Sequence, residues 1–393
     1  MTTTRAPSGR SPRTHSQFDL IVVGAGPGGA ATALGALQAR PDARVLLLDR
    51  APVGRDKTCG DALGPDGLAE LAALGVADVL HPGERVHQFR VASPTGQFVT
   101  GELPVPAAVV PRVELDARLL RAAIAAGASF EQAKVSDVRQ SGDGCVVNDR
   151  FAAPVVVGAD GVHSKVRRTL KLPQSRSRGQ AVAIRGYVPT PPGFNELLIS
   201  WDRQPNGSLS YAWAFPTAHD ACNVGYGMAS SALVGGRAQL VSRLTHKLPA
   251  FDIAGAELTG AGLPLGSARP VPATGRVLLV GDAASLVNPL SGEGVFYALA
   301  SGALAGAAAV SSQNPGRDYR RGLQLRFGGH NAQVKRLFPA PDHPSVVETS
   351  LRALQNDPSV FHSLLGLSGG PDNLRVHDLV RLANAGRARG TLA

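Results

Sequence analysis

The chain has 393 residues, 44% hydrophobic and 18% charged, with a formal net charge of +10. That balance suits two globular domains, or one large domain with an insertion, and excludes a collagen-like, coiled-coil or wholly disordered chain. The charge comes from scattered arginines rather than a basic stripe with interleaved aromatics, so nucleic acid is not an expected partner.

Residues 1–17 are polar and basic with no apolar stretch, and read as a disordered arm rather than a signal peptide. "DLIVVG" then reads as a strand covered on both faces, "GAGPGGAATALGALQA" as a glycine turn opening a helix, and "ARVLLLD" as a second buried strand. "VELDARLLRAAIAAGA" reads as a helix and "APVVVGADG" as a further buried strand. Segments near 85–105 and 180–266, including "QAVAIRGYV", "ELLISWD", "SLSYAWAFP" and "CNVGYGM", read as strands of a mostly antiparallel sheet. "RVLLVGDAA" returns to the buried-strand type and precedes a Gly/Ala-rich buried helix over about 291–311. A helical C-terminal part follows, broken at "FPAPDHP" and "SGGPDN". No internal repeat is visible, and no breaker-free apolar run reaches the roughly 18 residues of a membrane span.

The first motif is G-x-G-x-x-G at Gly24, Gly26 and Gly29, between a strand and a helix, with Asp49 ending the next strand. Gly24 would make the tight turn, Gly26 would let backbone approach a pyrophosphate, and Gly29 would let helix and strand pack closely. The helix N-terminus would face the phosphates, and Asp49 would accept from ribose hydroxyls. Two later motifs extend the pattern. "GADGVHSKVRR" carries Asp160, Gly161, Ser164 and Arg167; "LLVGDAASLVNPLSGEGVFYAL" carries Asp282, Pro289, Gly292, Glu293 and Gly294. A helix N-terminus after "NPLSGEG" could stabilise negative charge without a buried counter-ion. In "YAWAFP", Tyr211, Trp213 and Phe215 recur at every second position and share one strand face.

The three glycine and acid motifs, in this order, resemble the FAD-dependent oxidoreductases built like aromatic hydroxylases, over about residues 18–325. The Y-x-W-x-F-P run followed after eight residues by G-x-G (Gly225, Gly227), and the K-x-C-G segment of Lys57, Cys59 and Gly60, are similar to the geranylgeranyl and menaquinone reductases. The resemblance implies an α/β fold: a Rossmann-like FAD-binding domain with an inserted, mostly antiparallel β-sheet substrate domain. It implies an FAD-binding domain over 18–84, 106–175 and 270–325, a substrate domain over 85–105 and 176–269, and a C-terminal helical part over 326–393. Non-covalent FAD would be bound by Gly24, Gly26, Pro27, Gly28, Gly29, Asp49, Arg50, Cys59, Gly60, Arg112, Val135, Asp160, Gly161, Asp282, Pro289, Gly292, Glu293, Gly294 and Val295. Glu293 would contribute mainly backbone. Cys59, Tyr211, Trp213 and Phe215 would orient substrate beside the flavin.

The implied activity is reduction of carbon–carbon double bonds in an apolar isoprenoid or polyene, with an FAD monooxygenase of a small hydrophobic metabolite as the alternative. A flavin-binding protein without turnover is the reading from a different class. With no second G-x-G-x-x-G, electrons would come from NAD(P)H docking transiently or from a reduced carrier protein. The short C-terminal part departs from lipid-reducing relatives and points to a specialised metabolite. Three distant cysteines, Cys59, Cys145 and Cys222, fit a reducing cytoplasm; neither a metal site nor membrane contact is indicated.

Overall fold

The structure is a computed structural model that describes residues 16–142, 144–171, 180–265, 273–288 and 291–337, with residues 353 and 384 beyond them. The expectations for residues 1–15, for Pro289 and for the breaks after residue 337 lie outside the described residues; Ser16 and Gln17, expected to end the disordered arm, instead form a strand paired with Phe151 and Ala152.

Six strands form one sheet in the order Ala273–Thr274, Val277–Leu279, Val155–Gly158, Leu20–Val23, Val45–Asp49 and Ser129–Gln132. Every pairing is parallel except that between the first two. Leu20–Val23 and Val155–Gly158 are buried at every position, as their unbroken apolar sequences require of strands covered on both faces. The covering helices include α1 (Pro27–Ala39); α2 (Pro65–Ala73), α3 (Arg112–Ala125) and α4 (Lys165–Thr169) follow in the chain.

The second sheet has eight strands, in the order Thr259–Pro264, Gln180–Pro189, Ala221–Ala229, Leu209–Pro216, Glu196–Arg203, Arg85–Ala92, Phe98–Val109 and Ala62–Leu63. It is antiparallel apart from the pairing of Glu196–Arg203 with Arg85–Ala92. Ala212 and Ala214, both 0% exposed, turn to its rear face with Val224 and Tyr226, where Leu240 and Leu244 of α5 (Gly236–Lys247) cover them. A third, four-stranded sheet was not anticipated: Ser16–Gln17, Phe151–Ala153, Gly144–Val147 and Val138–Ser141.

The Gly/Ala-rich run is a helix, α6 (Val295–Ser311), followed by α7 (Pro315–Leu337). It begins four residues later than the 291 expected, because Gly292 holds a φ of +75° outside the helical region. A Cβ on Gly302 would lie 2.4 Å from the Gly28 carbonyl oxygen, and one on Gly306 would lie 2.0 Å from that of Thr32. A Cβ on Gly35 would reach the Ala303 carbonyl at 2.6 Å. α1 and α6 therefore meet backbone to backbone, which only glycine allows at these positions. Among the described residues no helix is long and apolar enough to cross a membrane.

Candidate functional site

The glycine turn has the geometry its sequence requires. Gly24 has a φ of +105°, and a Cβ there would lie 2.3 Å from the Ala159 carbonyl oxygen. A Cβ on Gly29 would fall 1.8 Å from the Gly24 carbonyl oxygen, so no side chain fits between turn and helix. Gly26 caps α1 and Pro27 opens it, leaving the first backbone N–H groups without a side-chain acceptor. Gly28 packs against Val280 on the inner side.

Two arginines converge on this turn. A Cβ on Gly26 would lie 3.2 Å from Arg55 Nη2 and 4.0 Å from Arg112 Nη2. Arg112, 3% exposed, opens α3 and donates a two-pronged pair of bonds to Asp116 at 2.6 and 2.7 Å. Burial works against its charge, but Asp116 more than restores it, so the guanidinium stays charged. Arg55 lies 3.9 Å from Asp49 and 4.0 Å from Asp116. Asp49 ends its strand and accepts from the Ala25 and Ala51 N–H groups at 2.8 and 2.9 Å, one bond on each oxygen. Each oxygen retains a lone pair that a ribose hydroxyl could use. Arg50 is exposed, and Val135 is half-buried beyond the neighbouring edge strand, packed on the core.

Further along, Lys57 Nζ donates to Asp282 Oδ2 at 2.7 Å. Burial opposes charge on Asp282, yet Lys57, with Arg112 and Arg55, holds the carboxyl below its usual range. Asp282 sits in a single 3-10 turn, Gly281–Ala284, beyond the end of its strand at Leu279. Asp160 is spent locally: Ser164 Oγ, Lys165 N and Val166 N donate to it at 2.5, 2.6 and 3.1 Å, capping α4 beside Gly161. Gly294 caps α6 ahead of Val295, and the Glu293 side chain accepts from Phe296 N at 2.9 Å. Burial pushes the Glu293 carboxyl up to about 7, against the bonds from the Phe296 and Val295 N–H groups.

The aromatic run explains its own spacing. Tyr211 pairs with Gly227, Trp213 with Gly225 and Phe215 with Asn223 in the antiparallel register. A Cβ on Gly225 would strike the Trp213 ring at 2.1 Å, so this glycine is the bed on which the indole lies. The G-x-G of the signature is thus the cross-strand complement of its aromatic residues. Trp213, 6% exposed, donates from Nε1 to Asn223 Oδ1 at 2.9 Å. Tyr211 donates to the Ser291 carbonyl, tying the wall to the loop before α6, and packs between Trp201 and Trp213 with ring centroids 5.3 and 5.9 Å away.

The wall meets the Cys59 segment directly. A Cβ on Gly60 would sit 3.2 Å from the Phe215 ring and 3.4 Å from Trp213 Nε1. The Cys59 carbonyl accepts from Arg185 Nε at 3.2 Å and Asn223 Nδ2 at 2.9 Å. Asp61, 2% exposed and with a φ of +64°, accepts on Oδ2 from Tyr187 and, at 2.7 Å, from Asn223 Nδ2. Burial pushes the Cys59 thiol up from its ordinary value. Among the described residues no group of three His, Cys, Asp or Glu side chains could hold a metal.

A model of the family described as lycopene cyclase protein matches residues 19–340. The chain is 34% identical over 315 residues to a menaquinone reductase of Mycolicibacterium smegmatis, covering 74% of this chain and 76% of that one. The chain belongs to this family of FAD-dependent oxidoreductases, the geranylgeranyl and menaquinone reductases. A digeranylgeranylglycerophospholipid reductase of Methanopyrus kandleri is 31% identical over 320 residues, covering 75% of this chain and 78% of that one. A geranylgeranyl bacteriochlorophyll reductase-like protein of Thermoplasma acidophilum has the same fold, with a TM-score of 0.75 at 18% identity, covering 95% and 96% of the two chains.

For a reductase of this family the sequence left several contributors unnamed. Arg55 and Asp116 complete the cation–carboxylate cluster at the glycine turn; Arg185 and Asn223 join the Cys59 segment, with the Asp61 that follows its Gly60, to the aromatic wall. The available signal was the arginine two residues before Lys57.

Proposed function

We propose that this chain uses FAD to reduce carbon–carbon double bonds in a small hydrophobic isoprenoid or polyene substrate. The single observation that carries this reading is the clamped junction of the Trp213–Phe215 wall with the Cys59–Gly60 segment and, through Tyr211, with the loop before α6. It supports a flat apolar surface held at a fixed place relative to the helix end.

The residues present suit the cofactor. Arg55 and Arg112 would meet its pyrophosphate at the Gly26 turn, where the free N–H groups and dipole of α1 add to their attraction. Asp49 would take the adenosine ribose and Asp282 the ribityl chain, with Lys57 keeping Asp282 ionised. The N-terminus of α6, from Gly292 to Val295, would face the pyrimidine edge and favour negative charge there. Bound and reduced, FAD supplies the hydride that an alkene accepts.

The protein's own contribution is placement. An unactivated alkene is a poor hydride acceptor, so fixing it against a rigid aromatic face must provide much of the rate. Trp213 cannot swing: its ring lies on Gly225 and its Nε1 is bonded to Asn223. The electron donor we assign to NAD(P)H docking transiently or to a reduced carrier protein. The test is an anaerobic single turnover with photoreduced protein and a panel of geranylgeraniol and conjugated polyenes, which carry no quinone ring to oxidise the flavin directly. Flavin reoxidation without oxygen and a product two hydrogens heavier are expected. Flavin that stays reduced until air is admitted, with oxygen then in the product, overturns the reading.

A further inference from the structure

Reducing a double bond requires a proton as well as a hydride, and the groups flanking the aromatic wall are mostly committed elsewhere. Tyr211 gives its hydroxyl hydrogen to the Ser291 carbonyl, and Glu293 caps α6 through Phe296 N. Tyr297, buried in α6, accepts from Asn288 Nδ2 at 3.3 Å. Asp61 differs. Its two hydrogen bonds, from Tyr187 and Asn223, both fall on Oδ2, while Oδ1 is buried with no partner among the described residues.

That asymmetry suits a carboxylic acid better than a carboxylate. An ionised Asp61 leaves one charged oxygen buried without a donor, which is costly. With a hydrogen on Oδ1, Oδ2 is the carbonyl acceptor for both donors and Oδ1 has a proton to give. We propose that Asp61 is the acid that supplies the second hydrogen, as a proton leaving Oδ1, when a double bond is reduced at this site; the inference rests on the reductase reading above.

The position fits the role. Gly60, the preceding residue, touches both Trp213 and Phe215, and Asn223 bonds Asp61 and Trp213 Nε1 at once. The left-handed backbone at Asp61, uncommon for a residue with a side chain, presents its carbonyl to Val110 N at 3.0 Å while the carboxyl returns to the sheet. The charged and titratable groups facing it are Tyr187 and Arg185 from the sheet, Arg112 from α3 and Cys59 from its own segment. Burial pushes the Asp61 carboxyl up to about 6, outweighing Tyr187, Asn223, Arg185 and Arg112, which favour the charged form. A value near the working pH is what a general acid needs.

The step balances. The hydride forms one carbon–hydrogen bond and the π electron pair moves to the neighbouring carbon. The Asp61 O–H bond breaks and its proton forms the second carbon–hydrogen bond with that pair. The carboxylate left behind is held by Tyr187 and Asn223, and solvent returns the proton between turnovers.

The experiment follows photoreduced holoenzyme with geranylgeraniol and with a conjugated polyene, without oxygen, from pH 5 to 9. For wild type the reoxidation rate is expected to be highest below a midpoint near 6 and to fall about tenfold per pH unit above it. Asp61→Asn should lower the rate about a hundredfold and flatten the profile while retaining flavin; asparagine tolerates the left-handed backbone. Tyr187→Phe removes a donor that stabilises the carboxylate, so the midpoint should rise by about one pH unit. Independently of turnover, the protonated-carboxyl infrared absorption should contain a component with a midpoint near 6 that is lost in Asp61→Asn, while the Glu293 component near 7 remains. If wild type reduces the probes but Asp61→Asn keeps its rate and profile, this proposal alone fails. The same holds if Tyr187→Phe leaves the midpoint in place. If wild type reduces neither probe, the reductase reading fails, and this proposal with it.

Discussion

Gly225 and Gly227 belong to one short signature, yet the structure assigns them opposite sensitivity to alanine. At Gly225 the new methyl would lie 2.1 Å from Cζ2 of Trp213 and 2.5 Å from the Ile184 carbonyl oxygen. The carbonyl belongs to the paired strand and cannot withdraw, so the indole must move off its bed and lose the 2.9 Å bond to Asn223. Overpacking of this kind costs about 1–3 kcal/mol, to which the lost bond adds about 1 kcal/mol. At Gly227 the nearest atoms are 3.8 Å away, ordinary contact, so alanine should change stability by less than about 0.5 kcal/mol. Urea unfolding of both variants measures the difference, and anaerobic single turnover measures its effect on the wall. We expect Gly225→Ala to be less stable by about 2–4 kcal/mol and slower by tenfold or more, with bound FAD unchanged. Equal behaviour of the two variants, in either direction, would refute the account of the indole bed.

Trp213→Ala should retain FAD and slow alkene reduction by about a hundredfold, measured by single turnover; flavin loss instead would mark the aromatic run as a structural strand only. Asp282→Ala should weaken FAD retention by about tenfold on dilution and dialysis, as loss of a charged hydrogen-bond acceptor predicts; unchanged flavin content removes its assigned role. Glu293→Gln should raise the bound flavin's potential by a few tens of millivolts at pH 8, where the carboxylate would oppose a reduced anionic ring, and much less at pH 6, where wild type is already protonated. The raised Asp61 value makes the folded state hold a proton that the unfolded chain releases near 4. Wild type should therefore lose stability relative to Asp61→Asn as pH rises from about 4 to 6, by about 2–3 kcal/mol in paired urea titrations; a constant difference contradicts it.

Much of the fold was legible because its signals are local. Unbroken apolar runs marked four of the parallel strands but not the edge strand Ser129–Gln132, whose sequence is mostly polar, and the glycines at 24, 26 and 29 marked the turn that joins the first strand to α1. The aromatic run was legible as one face of a strand, though not as a surface fitted to Gly225, because that fit depends on the register of a hairpin. Other contacts join residues remote in sequence and leave no local trace. Asn223 meets Asp61 from 162 positions away and Tyr187 meets it from 126. Arg112 was read as a flavin contact, and its buried pairing with Asp116 one helical turn on was there to be seen. The four-stranded sheet escaped notice although Asn148 and Asp149, both with positive φ, form a hairpin turn of recognisable chemistry.

The contact between α1 and α6 has a mechanical consequence. Between most helices a layer of side chains can shear by a fraction of an ångström; here peptide groups abut at Gly302 against Gly28, Gly306 against Thr32 and Gly35 against Ala303. The two helices form a stiff pair, with the N-terminus of α1 assigned to the pyrophosphate and that of α6 to the pyrimidine edge of the proposed cofactor. Compliance is left to the other side, where residues 55–61 have little regular structure and are tethered to the sheet by polar bonds from Arg185, Asn223 and Tyr187. Rearrangement is therefore confined to the loop around Cys59, while the aromatic face and the distance between the two helix ends stay constant.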